Sequence, residues 1–267
     1  MGEFSYLTTT DNARIAYRLD GSSDKPAIVL SNSIGTTLRM WDGQISALSQ
    51  YFRVLRYDAR GHGASSVPGG PYPLARLGQD VLELMNALEM EKAHFLGLSL
   101  GGIVGQWLAV HAPSRIDRLV LSNTAPWLGP SDRWEAPIAA VLQADDMSTT
   151  AETFLRNWFP AHMLAARDPL VEKFRVMLLT TNRHGLAGSW RAVQEADMRQ
   201  DIAHITQPTL LIAGEHDTVT AASYSVQMAN AIPDARLLML PAVHLSNIEF
   251  PEKFNDEVVQ FLHASAP

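Results

Sequence analysis

Residues 94–110, His-Phe-Leu-Gly-Leu-Ser-Leu-Gly-Gly-Ile-Val-Gly-Gln-Trp-Leu-Ala-Val, decide how the rest of the chain is read. Residues 94–98 form an apolar run of strand length, Ser99 follows in a glycine-rich turn, and residues 102–110 continue as a helix. Gly97-Leu98-Ser99-Leu100-Gly101 matches G-x-S-x-G, in which glycines flank a serine held on a sharp strand-to-helix turn with little room for side chains. Composition alone produces such a match in roughly one chain of this length in ten. The strand before it and the helix after it therefore carry the reading, and they favour a nucleophile over a serine at an ordinary glycine-rich helix start.

Working outward, apolar runs that suit buried strands recur at 27–31, 54–57, 119–122, 209–213 and 237–240. Helix-period segments lie between them. The clearest places Leu74, Leu77, Val81, Leu84, Met85 and Leu88 on one face. Strands alternating with helices predict an α/β fold, with a mostly parallel central sheet and helices on both faces. Residues 6–9 and 14–19, around Asp11-Asn12, read as a hairpin at one sheet edge. The rhythm breaks between 125 and 205, where helix formers are interleaved with Trp127, Trp134, Trp158 and Trp190. This stretch is expected to be a helical cap inserted into a core domain made of 1–124 and 206–267.

With 46% hydrophobic and 18% charged residues, the 267-residue chain can bury one large core. The absence of cysteine excludes disulfides, thiolate nucleophiles and thiolate metal sites. A net charge of -7, with 21 thinly spread Lys and Arg, works against nucleic-acid binding. The opening MGEFSYLTTTDNARI has neither a basic start nor an apolar h-region, and no run approaches the roughly 20 apolar residues that span a bilayer. The expectation is a cytoplasmic protein without membrane or nucleic-acid partners. Nothing resembles H-E-x-x-H, and Gly61-His62-Gly63 lacks the third glycine of a dinucleotide loop, so no metal and no organic cofactor are expected. His62 reads as structural.

A serine needs a base, and the base needs a carboxylate to fix its tautomer. In open α/β sheets functional groups gather at the carboxyl ends of strands. The run 209–213 leads into Gly214-Glu-His-Asp217, and 237–240 leads into Pro241-Ala-Val-His244, giving the order Ser99, Asp217, His244. His216 and Glu215 adjoin Asp217, but only His244 stands in the turn after the last strand. Asn123 occupies the other strand end where a carboxylate could serve, and it is not acidic. Oxyanion donors are expected from the backbone amides of Leu100 and Ile34, each worth about 3 kcal/mol in the transition state. Ser33, in the same loop as Ile34, is expected to touch the substrate.

Asn32-Ser-Ile-Gly-Thr-Thr, Tyr57-Asp-Ala-Arg-Gly-His-Gly-Ala-Ser65, the Ser99 turn, Gly214-Glu-His-Asp217 and Val243-His244 together resemble the α/β-hydrolase superfamily over essentially the whole chain. Asn-Ser-Ile-Gly-Thr in place of the usual His-Gly, combined with Gly-Leu-Ser-Leu-Gly-Gly, is similar to the 3-oxoadipate enol-lactonases. That resemblance implies an α/β-hydrolase fold and hydrolysis of a small lactone or ester carrying a carboxylate, in the β-ketoadipate route of protocatechuate and catechol breakdown. Carboxylesterases, perhydrolases and carbon-carbon bond hydrolases share the triad and differ in the cap. A non-catalytic binding protein on the same fold is the reading furthest from these residues.

The lactone's carboxylate, in a mostly apolar pocket, needs a fixed donor. Arg133 and Trp134, near the start of the insertion, are the cap candidates, a planar fork beside an apolar wall with one N–H. Arg133 could equally stand solvated, with Trp134 in the cap core. Arg191 is the next candidate.

Overall fold

The computed structural model describes residues 4–263. Among them, eight strands form one sheet: β1 (Ser5–Thr8), β2 (Arg14–Asp20), β3 (Ala27–Ser31), β4 (Arg53–Tyr57), β5 (Ala93–Leu98), β6 (Ile116–Ser122), β7 (Thr209–Gly214) and β8 (Ala235–Leu240). Their spatial order is β1-β2-β4-β3-β5-β6-β7-β8. β2 pairs antiparallel with β1 and β4, so the expected hairpin forms one edge, and the strands from β4 to β8 run parallel. Each apolar run predicted as a strand is one. Periodicity shows in the sheet as alternation between two buried faces. Val29, Leu55, Phe95, Leu119 and Leu211 enter one core, and Ile28, Leu30, Val54, Leu96 and Leu210 enter the other.

The helices are α1 (Asp42–Leu48), α2 (Leu74–Ala87), α3 (Leu100–His111), α4 (Glu135–Gln143), α5 (Ser148–Trp158), α6 (Ala161–Ala165), α7 (Pro169–Thr180), α8 (Arg183–Glu195), α9 (Ala222–Ala231), α10 (Ser246–Glu249) and α11 (Pro251–His263). α2, α3 and α9 pack on the first face through residues such as Leu77, Val81, Leu108 and Met228. α1 and α11 cover the other through Leu48, Phe254 and Val258. In α2 the predicted apolar face points inward, with Leu77, Val81, Leu84 and Met85 buried. None of the described helices is long and apolar enough to cross a membrane.

Helices α4 to α8 lie between β6 and β7. The segment is closed at its base by an antiparallel bridge between Trp127 and Asp197. Its helices join both cores: Ile138, Val141, Leu186 and Val193 extend the first, whereas Leu155, Trp158, Phe174 and Leu178 extend the second. Asp168 and Asn182 cap α7 and α8 by accepting backbone N–H groups, with Pro169 at the first position of α7.

α8 is seated on the sheet domain by backbone contact. A Cβ on Gly185 would lie 2.0 Å from the Gly61 carbonyl oxygen, and Gly61 itself has a φ of +81°. Tyr72 N–H donates to the Gly188 carbonyl at 3.2 Å. Gly185→Ala is therefore expected to destabilise the protein by about 1–3 kcal/mol, as overpacking does. Thermal melts should show a fall of several degrees, while Gly69→Ala, whose Cβ would meet nothing within 4 Å, leaves the midpoint unchanged.

Candidate active site

Ser99 joins β5 to α3 with φ 56° and ψ -116°, outside the regions that L-residues ordinarily occupy. Four hydrogen bonds hold its backbone there. Its N–H donates to Ser122 O at 3.0 Å, and its carbonyl accepts from Thr124 Oγ1 at 2.7 Å, Gly102 N–H at 2.9 Å and Ile103 N–H at 3.1 Å. The flanking glycines are steric requirements. A Cβ on Gly97 would stand 2.2 Å from Gly101 O, and one on Gly101 would stand 2.2 Å from Ser31 O.

The loop after β3 is tied down on every side. Asn32 Nδ2 donates to Tyr57 O at 2.8 Å, its Oδ1 accepts from Trp41 Nε1 at 2.9 Å, and its carbonyl accepts from Gly101 N–H at 3.0 Å. Ser33 N–H meets Met40 Sδ at 3.2 Å, Gly35 N–H donates to His62 Nε2 at 2.9 Å, and Thr36 N–H turns back to Ser33 O. Among the described residues, the Ile34 and Leu100 N–H groups have no such partner, and both residues line the cavity that holds Ser99. They are the two amides read from the sequence as oxyanion donors.

His62, expected to be structural, is one of the residues that hold this loop. Its Nε2 accepts from Gly35, so the proton sits on Nδ1, which faces Arg60 O at 3.2 Å. Burial pushes its pKa down to about 4, against the hydrogen bond to Arg60 O. It is thus a neutral histidine at physiological pH.

His244 is fully buried, and its Nδ1 lies 2.8 Å from Asp217 Oδ2. Its ring is stacked against Trp158, with centroids 6.3 Å apart. Asp217 Oδ1 accepts from Val219 N–H at 2.8 Å and Thr220 N–H at 3.0 Å, and Oδ2 accepts from Thr220 Oγ1 at 2.8 Å and Asn123 Nδ2 at 3.1 Å. Burial works against the charged carboxylate, but the His244 imidazole and the Thr220 donors outweigh it and hold the Asp217 carboxyl below its ordinary range. His244 Nε2 is buried and unpartnered, so it makes no hydrogen bond to the Ser99 hydroxyl here. Bonds of this kind commonly tighten only when substrate is bound.

Asn123 and Thr220 escaped sequence reasoning as partners of Asp217. The sequence marks Asn123 only as a strand end that lacks an acid, yet β6 and β7 are neighbours and its amide bridges to Asp217. That adjacency was the available signal.

Ser99 and His244 share a cavity of about 430 Å³ with Ile34, Leu100, Leu128, Trp134, Phe154 and Trp190. Arg133 also lines it and is exposed, with its guanidinium 5.5 Å from the Trp134 ring centroid. Three expectations about substrate contacts need correction. The Trp134 N–H is already donated to Leu128 O at 2.9 Å, so that ring offers only its apolar body. Ser33 is buried and does not line the cavity, because its loop turns Ile34 toward it instead. Arg191 is paired with Glu135 at 2.8 Å and borders a separate surface hollow. Among the described residues no group of three or more His, Asp or Glu is arranged to hold a metal ion.

Residues 26–251 match the family described as the alpha/beta hydrolase fold. The chain belongs to that family. It is 37% identical over 255 residues to 3-oxoadipate enol-lactonase 2 of Acinetobacter baylyi, covering 96% of this chain and 95% of the relative. A crystal structure of a hydrolase from Pseudomonas aeruginosa PA01 is 65% identical with a TM-score of 0.97, covering 98% of this chain and 99% of that one. The enol-lactonase of Burkholderia xenovorans LB400 is 39% identical with a TM-score of 0.94, covering 97% of this chain and all of its own. This α/β hydrolase therefore resembles enol-lactonases over 96–97% of its length.

The neutral state of His62 predicts a pH effect on stability. The unfolded chain binds a proton on this residue near pH 6.5, whereas the folded chain does so only near 4. Its contribution is therefore complete above pH 6.5 and is lost as the pH falls through that interval. Urea midpoints at pH 7 and pH 4.5 are expected to differ less in His62→Gln than in wild type. His94, whose pKa burial also pushes down to about 4, keeps part of the dependence in both proteins.

Proposed function

We propose that this protein is a serine hydrolase that opens 3-oxoadipate enol-lactone to 3-oxoadipate, with Ser99 as nucleophile, His244 as base and Asp217 as the carboxylate that orients it. It works in the cytoplasm, in the β-ketoadipate route of aromatic breakdown. The observation that carries the reading is one cavity wall shared by a strained serine, a buried imidazole nitrogen with no partner and two free amides. Similarity to enol-lactonases supports the choice of substrate.

In this mechanism Ser99 Oγ bonds to the lactone carbonyl carbon as its proton passes to His244 Nε2. The carbonyl oxygen takes the negative charge and is met by the Ile34 and Leu100 N–H groups, the latter at the positive end of α3. Asp217 stabilises the imidazolium through Nδ1. Collapse of the intermediate breaks the ring C–O bond, and the departing enol oxygen takes the proton from His244 and tautomerises to the ketone. Water then gives a proton to His244 and attacks the acyl-enzyme, releasing the carboxylate and restoring Ser99.

Ser99→Ala, His244→Ala and Asp217→Asn should each lower turnover of the enol-lactone by about 10³-fold or more while the circular dichroism spectrum is unchanged. Folded Ser99→Ala with near wild-type activity would remove the reading.

Among the described residues, Arg133 is the one permanently charged side chain lining the cavity, so it is the group proposed to meet the substrate's carboxylate. Charge-assisted hydrogen bonds of this type contribute about 1.5–3 kcal/mol. In Arg133→Ala the enol-lactone's KM should rise by about 10-fold or more, and kcat/KM for an uncharged ester should stay within about twofold. Equal losses on both substrates would show that Arg133 does not read the charge.

A further inference from the structure

His244 does not stand on a helix or a strand. It lies in the turn between β8 and α10, so something other than regular secondary structure must fix its backbone. The peptide groups of the preceding residue, Val243, are held from both sides. Its N–H donates to Glu249 Oε1 at 2.7 Å, and its carbonyl accepts from Asn123 Nδ2 at 3.1 Å, the same nitrogen that donates to Asp217. The neighbouring Ala242 carbonyl accepts from His216 N–H at 2.9 Å. The turn is pressed against Gly214 so closely that a Cβ there would lie 2.1 Å from Val243 O.

Glu249 is an unusual group to find in this place. It is half-buried, and its carboxyl is pushed up to about 7, chiefly by burial and also by the nearby charge of Asp217, against the lowering effect of the Val243 hydrogen bond. An acid set beside a buried carboxylate costs stability. What it supplies is an acceptor for one backbone donor, one residue before the imidazole.

We infer that Glu249 is a positioning residue for His244, acting through the Val243 N–H to fix the backbone that leads into the imidazole at the Ser99 cavity. The inference rests on the proposal that His244 activates Ser99. A catalytic group displaced by about 1 Å can cost 10²-fold in rate, so releasing the turn should slow the nucleophile without unfolding the protein. Asn123 holds the next peptide group, through the Val243 carbonyl, and cannot replace the lost acceptor, because its amide nitrogen only donates.

The test is the second-order rate at which a fluorophosphonate probe labels Ser99 in the full-length protein, which needs no knowledge of the substrate. Glu249→Ala and Glu249→Leu, with thermal melts confirming the folded state, should label at least tenfold more slowly than wild type. Glu249→Gln keeps an oxygen acceptor and should stay within threefold of wild type. Wild-type rates in folded Glu249→Ala or Glu249→Leu overturn the inference, and so does Glu249→Gln as slow as either. If neither apolar variant folds, the Glu249→Gln rate decides. Wild-type protein that is not labelled at Ser99 would overturn the serine-hydrolase proposal itself, whereas labelling that ignores Glu249 overturns this inference alone.

Discussion

Backbone touching backbone at the start of α3 is the contact on which the rest of the site depends. Gly101 approaches Ser31 O, and Gly97 approaches Gly101 O, within distances that exclude any side chain. Only this approach lets a helix begin directly above β3 and β5, which brings the Leu100 amide and the loop 32–35 to the same place. Ser99 stands in a backbone conformation that costs about 1–3 kcal/mol. Hydrogen bonds from Thr124 and Gly102, and to Ser122, over-determine it.

Around that contact, burial and hydrogen-bond donors pull two buried carboxyls in opposite directions. Asp58 accepts N–H groups from Leu38 and Ala64, yet burial still raises its carboxyl above the ordinary range. Asp217 accepts from two backbone amides, Thr220 Oγ1 and Asn123, and also faces His244. There the balance reverses and the charged form is held. The two histidines differ in their partners: His244 faces the Asp217 carboxylate, and His62 faces a carbonyl and an amide. His62 stays neutral, which suits a residue that must accept from Gly35.

The inserted helices complete the cavity, because each of the two cores continues into them. Phe154 stacks on Trp190 with rings 11° apart, and Trp158 packs along His244, so one face of α5 supports both the pocket wall and the imidazole. On the same helix Thr149, Thr153 and Asn157, four residues apart, also line the cavity. The lining thus passes from apolar rings to hydroxyl, amide and guanidinium groups.

The sequence by itself determined the strands, the helix α2, the edge hairpin, the glycine-flanked serine and the strand ends where Asp217 and His244 stand. All of these are local: periodicity of two or 3.6, turn residues, and motif order along the chain. Only the tertiary structure decided which residues complete the site. Asn123 reaches Asp217 across 94 positions, and His62 meets Gly35 across 27, through pairings that no window of sequence contains. The same holds for the cap. Position in the insertion made Trp134 and Arg191 candidates to meet a substrate, but whether the indole N–H and the guanidinium were free depended on the Leu128 carbonyl and Glu135. A hydrogen-bonding group has limited capacity, and the folded chain alone sets which neighbour uses it.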